Sequence, residues 1–131
     1  MAGKNQGVGI VALDHVQMAM PAGAEETARA FYGAVLGLAE IPKPAPLAPR
    51  GGCWFVGQGV TLHLGVEADF RPARKAHPAF RVADLDVSRA RFDAAGVQTI
   101  PDDTVSGVRR FYVADPFGNR IEFMQDGDTF A

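Results

Sequence analysis

The chain states one plan twice, and this repetition constrains its fold more than any other feature. "IVALDHVQMAM" (10–20) is apolar with strand-like alternation and is broken by Pro21 and Gly23. "AEETARAFYGAVLG" (24–37) reads as a helix. Ala28, Phe31, Tyr32, Val35 and Leu36 recur at helical spacing. Glu25 and Glu26 fall in the first turn, where the helix dipole favours anions, and Gly37 is a C-terminal stop. A short strand "LAEIP", an irregular proline-rich stretch "KPAPLAP", and two strands, "GCWFVG" and "GVTLHLGV", around "GQG" complete the first half. The linker "EADFRPARKA" follows, and the order then restarts. "HPAFRVA" is a strand, and "DLDVSRARFDAAG" is a helix with Asp84 as N-cap and Gly96 as stop. "VQTI" is a short strand and "PDDTVSG" a loop. "GVRRFYVAD" and "NRIEFMQ" are strands around the turn "DPFGN".

Each half is therefore a βαβββ unit. The predicted class is α+β: two tandem modules, residues 10–66 and 77–126, form a curled mixed sheet in a single domain, 10–131. Residues 1–9, polar and glycine-rich, form a disordered start. Each sheet turns one apolar face to its helix and curls the other into a cup.

Composition removes several classes of function. Hydrophobic residues make up 47% of the 131, enough for a core. A formal net charge of −2 offers no basic excess for nucleic acid. No apolar run approaches the roughly 18 residues a membrane helix needs, and the start lacks a signal-peptide core, so a cytoplasmic protein is expected. The single cysteine, Cys53, excludes an intrachain disulfide and a cysteine-rich zinc site.

The duplication also sorts the polar residues. His15 and His77 occupy the same place in the two first strands, and His63 and Glu122 the same place in the two last ones. Leu62 and Leu64 flank His63 as Ile121 and Phe123 flank Glu122, so both polar side chains point away from the core and into the cup. Singly, each of the four is an ordinary hydrogen-bonded or surface residue. Together they are the donor inventory of a divalent zinc, nickel, manganese or iron site. His63 either ligates or moves a proton beside the metal, and Glu122 is the carboxylate available for catalysis. Arg110 and Tyr112 share parity. Arg110 is either a bidentate receptor for a carboxylate or phosphonate, or a solvated edge charge. Trp54 is a cup wall or core, and Gln17 orients a ligand. "DPFGN" reads as a turn and nothing more.

"LDHVQMAM" with "ARAFYGAVLGL", then "HPAFRVADLD" and "FYVADPFGNRIEF", resemble the vicinal oxygen chelate superfamily over most of the chain, Leu13 to Gln125. That superfamily includes glyoxalase I, extradiol dioxygenases, methylmalonyl-CoA epimerase, fosfomycin-modifying thiol transferases and bleomycin-binding proteins. The resemblance implies a metal held in the cup by His15, His77 and Glu122. It also implies a homodimer in which each cup takes one module from each chain, and a cup-facing Tyr112. His63 stands where glyoxalase I carries a metal-binding glutamate. The function so implied is a metal-dependent enzyme of lyase, thiol-transferase or dioxygenase type acting on a small oxygen-chelating substrate. The alternative is a dimeric protein of the bleomycin-resistance type, which sequesters a small molecule through Trp54, Tyr112 and Phe111 without turnover.

Overall fold

The structure, a computed structural model, describes residues 7–130; residues 1–6 of the expected disordered start, and Ala131, lie outside the described residues. The first half contains β1 (Val16–Met20), α1 (Glu25–Ala28), β2 (Ala39–Ile41), β3 (Cys53–Gly57) and β4 (Val60–Val66). The second contains β5 (Ala79–Val82), α2 (Leu85–Ala94), β6 (Ile100–Pro101), β7 (Arg110–Ala114) and β8 (Arg120–Gln125). The strands form two open four-stranded mixed sheets, β1-β4-β3-β2 and β5-β8-β7-β6, rather than one continuous sheet. The fold is α+β and glyoxalase-like.

Parity decides what each strand buries. Met18, Met20, Phe55, Leu62 and Leu64 of the first sheet, and Phe111, Val113, Ile121 and Phe123 of the second, meet in one core. Phe31 of the first helix stacks on Phe92 of α2, with ring centroids 6.4 Å apart. Each such side chain stabilises the fold by about 1.5–3 kcal/mol on burial. With the covered faces consumed in this shared core, the other face of each sheet points away from it.

Four expectations change. The first strand begins at Val16, not Ile10, because its ladder on β4 starts at Val16↔Leu62 and residues 8–15 have no strand to pair with. The first helix is α-helical only to Ala28 and continues as a π-helical stretch, Arg29–Val35, that buries the adjacent Phe31 and Tyr32 together. The proline-rich stretch is not irregular. Residues Ala45–Arg50 form a 3-10 helix, whose φ proline satisfies. The short strand expected at "VQTI" forms at Ile100–Pro101. Asp84 caps α2 as expected, its Oδ1 accepting from Val87 N at 3.1 Å. Gly37 and Gly96, at φ +78 and +74, end their helices.

The turn "DPFGN" is more than a turn. The Asp115 carboxylate accepts from the backbone N–H of Phe117 (2.9 Å) and Asn119 (2.8 Å), the Asn119 amide (3.0 Å) and the Tyr32 hydroxyl (2.7 Å). Burial, with Asp115 beside it, pushes the Tyr32 phenol far above its usual range. Asn119 also donates to the Ala19 carbonyl at 2.9 Å and accepts from Ala73 N at 3.0 Å. One corner of the second module thus grips the helix and first strand of the first module.

Candidate functional site

The faces of the two sheets turned away from the shared core carry matched positions. In the first sheet Gln17 lies beside His63 and Trp54 opposite His63; in the second, Ala79 lies beside Glu122 and Tyr112 opposite Glu122. His15 and His77 each lie two residues before the matched first-strand positions, on the same face.

On the first sheet the His63 ring is sandwiched. The Trp54 ring lies parallel to it at 3.7 Å, and the His15 ring stacks on it at 4.1 Å. Trp54 is therefore on the cup face and not in the core. Burial first, then the charges of His15 and Lys43, hold His63 below the usual imidazole range against the opposing pull of Asp14. His15 Nδ1 meets the Asp14 carboxylate at 2.8 Å. A carboxylate accepts, so Nδ1 is the donor in that contact.

The second sheet carries a charged network. His77 Nδ1 donates to the Lys75 carbonyl at 2.8 Å, which turns Nε2 toward Glu122 Oε1, 2.9 Å away. Two lone pairs do not face each other at that distance, so a proton or a cation belongs between them. Glu122 is buried, and its Oε2 has no hydrogen-bond partner. The nearest cation to that oxygen, Arg110 Nη1, makes an ion pair at 3.5 Å without hydrogen-bond geometry. Arg110 itself is no solvated edge charge. Its side chain is 11% exposed, pairs with Asp102 at 3.0 Å and donates to the Tyr112 hydroxyl at 2.6 Å. Tyr112 lies on the cup face, edge-on to His77 and under Arg120, whose guanidinium carbon sits 4.0 Å from the ring centre. Asp102 and the Lys75 carbonyl come from loops and carry no periodicity, so sequence pattern did not single them out. Phe111, expected in a ligand cleft, is instead in the core.

The four predicted donors thus come together as two pairs, His15 with His63 and His77 with Glu122. Among the described residues, no group of three or more His, Cys, Asp or Glu side chains able to hold a metal occurs within one chain. The residues nonetheless fit a divalent ion. Imidazole nitrogens with one carboxylate suit a borderline cation, and among the described residues the buried Oε2 accepts no hydrogen bond.

The family model of the Glyoxalase/Bleomycin resistance protein/Dioxygenase superfamily matches residues 12–123. The chain belongs to that superfamily. A glyoxalase family protein from Bacillus anthracis is similar at 52% identity and a TM-score of 0.86, over 88% of this chain and 95% of that one. FosX, a fosfomycin resistance protein from Listeria monocytogenes, shares the fold at 20% identity and a TM-score of 0.70 over 88% and 93%. TnmS3, an antibiotic binding protein from Streptomyces sp. CB03234, shares it at 24% and 0.65 over 88% and 98%. No curated protein sequence matches the chain. Among the described residues of this glyoxalase-superfamily chain, no helix is long and apolar enough to cross a membrane.

Proposed function

We propose that two copies of the chain build a divalent-metal-dependent enzyme centre in which His15 and His63 of one copy meet His77 and Glu122 of the other. The substrate is a small molecule that chelates through adjacent oxygens. The observation that carries this reading is Glu122: a buried carboxylate with one oxygen 2.9 Å from His77 Nε2 and the other without a hydrogen bond. The Arg110 ion pair at 3.5 Å offsets part of the cost of burying that charge, and a ligand cation would complete its coordination. A bound divalent ion would polarise the substrate's oxygens. The chain's own groups do the rest. Asp14 and the Lys75 carbonyl orient the two first-strand histidines, Arg110 and Tyr112 brace Glu122 from the side, and His63 stands beside the pair formed by the other copy.

The N-terminal segment supports assembly from two copies. Val8, Ile10, Val11 and Leu13 are all largely in water, Leu13 at 80% and Val11 at 97% exposed, and they lead directly into His15. So contiguous an exposed apolar run is the kind of surface that a second copy would cover.

Metal titration with manganese, nickel, zinc and iron(II), after chelator treatment, tests the proposal. Glu122→Ala and His77→Ala should each weaken affinity about a hundredfold or more, an effect at least as large as that of losing a group that orients a ligand. A mixture of His15→Ala and Glu122→Ala chains, each inactive alone, should regain about a quarter of the wild-type sites, since half the dimers of a random mixture are mixed and each restores one of two centres. Unchanged affinity in both single variants sinks the metal site; no recovery on mixing sinks its division between copies.

The sandwich of His63 between Trp54 and His15 favours a second reading, in which aromatic walls hold a flat molecule without turnover. Ligand binding in chelator-treated protein, with the ligand recovered intact, would mark sequestration.

A further inference from the structure

The repeat shows where the first module is hollow. From the matched pairs Trp54–His63 and Tyr112–Glu122, a step of two residues along the chain reaches Gly65 in β4 and Gly52, just before β3, in the first module, and the Arg110–Met124 pair in the second. Arg110 and Met124 fill that end of the second sheet. In the first, both positions lack a side chain. A Cβ on Gly52 would lie 2.1 Å from the Leu64 carbonyl oxygen, and one on Gly65 would lie 2.6 Å from Gln17 Nε2. A cavity of about 230 Å³ opens there, lined among others by Gln17, Lys43, Leu47, Arg50, Trp54 and Gly65.

Its charge is one-sided. Lys43 and Arg50 come from the segment that carries Pro42, Pro44, Pro46 and Pro49, whose fixed φ angles stiffen it. One Lys43 proton is held by the Gly51 carbonyl, which leaves two donors on the ammonium. Arg50 is exposed and offers a planar fork. The neighbouring carboxylate, Glu25, is occupied. Its Oε2 accepts from Gly52 N at 2.8 Å, and that bond, with the fields of Arg29 and Lys43, holds it below the usual carboxylate range.

We propose that this cavity is a subsite for the anionic end of the substrate, a carboxylate, phosphonate or phosphate, whose flat or apolar body lies against Trp54. Lys43 and Arg50 take the charge, the Gln17 amide takes a remaining oxygen, and the Trp54–His63 stack forms the wall toward the metal donors. The inference rests on reading the concave faces as the substrate side, and it adds the substrate class.

Trp54 is the only tryptophan in the chain, so its fluorescence in metal-free protein reports on this wall. The test uses chelator-treated protein with phenylphosphonate and benzoate as anionic probes and benzyl alcohol as the uncharged one. At least one anion should change Trp54 emission saturably and bind about tenfold or more tighter than benzyl alcohol, as loss of a charged contact predicts. Lys43→Met and Arg50→Met should each cost about tenfold, and Arg74→Met in the linker should cost nothing. Equal affinity for charged and uncharged probes overturns the proposal, as does wild-type affinity in both variants. If Lys43→Met perturbs the fold by circular dichroism, Arg50→Met decides alone. Because no metal is present, a failed metal titration leaves this result standing, and the reverse also holds.

Discussion

At matched register the two modules carry different chemistry. Trp54 and His63 stand in the first where Tyr112 and Glu122 stand in the second, and Gly65 stands where Met124 does. The first face is a stack of rings beside a hollow. The second is a packed ion network running from His77 through Glu122 and Arg110 to Asp102. Their β-hairpin turns differ too. The turn between β3 and β4 is a tight Gln58–Gly59 reversal, whereas the one between β7 and β8 contains the Asp115–Asn119 clamp. Duplication thus preserved where side chains point and left each copy to choose what stands there. A centre needing several nitrogens and one carboxylate requires one face of each kind.

The sharpest test of this contrast compares the turns. Asp115→Ala strands a buried hydroxyl, two N–H groups and an amide, and should lower unfolding free energy by about 3 kcal/mol or more in a denaturant melt. Gln58→Ala, in the first module's turn, should stay within about 0.5 kcal/mol. Comparable losses at both would erase the asymmetry. Next comes Arg110→Met, which imitates the apolar character of the first face. It leaves Glu122 and Asp102 without their guanidinium and should cost about 2–3 kcal/mol by the same measurement. A neutral result would mean that the network is decoration. Smaller in stability is Gly65→Ala. The added methyl meets only the end of the flexible Gln17 side chain, so stability should shift by less than about 1 kcal/mol. Phenylphosphonate binding should nonetheless weaken, since Gln17 must move.

The mildest effect concerns Glu25, which ties α1 to the start of β3. Its folded carboxyl lies below its unfolded value, because of the Gly52 N–H first. The contribution is therefore present above the ordinary carboxylate range and is lost as pH falls through the folded pKa. Glu25→Gln should flatten the acid side of the stability–pH curve; an unchanged curve would show that the contact contributes nothing.

Much of this could be read from sequence because periodicity reports on faces. Leu62 and Leu64 around His63, and Ile121 and Phe123 around Glu122, fixed both parity and equivalence. The π-helical stretch left only a faint sign, two adjacent aromatics in one apolar stripe, since helical spacing does not count the extra residue per turn. The start of β1 was misjudged for a different reason. Residues 10–15 have strand composition, but a strand exists only where a partner ladder does, and none reaches them within the chain. Of the candidate site, the donor types were visible, whereas their division into two pairs was not, because repeat equivalence says nothing about how modules are disposed in space. Lys43 and Asp102 lie in loops and Arg50 ends the 3-10 helix, where neither a period of two nor one of 3.6 applies.

The run from Val8 to Leu13 bears on how such a protein would behave at different abundances. Were that apolar strip covered by a second copy, as proposed, concentration itself would control completeness. In dilute solution each chain would carry two unfinished halves, and only as copies accumulate would finished centres appear, so output per molecule would climb with expression instead of staying constant.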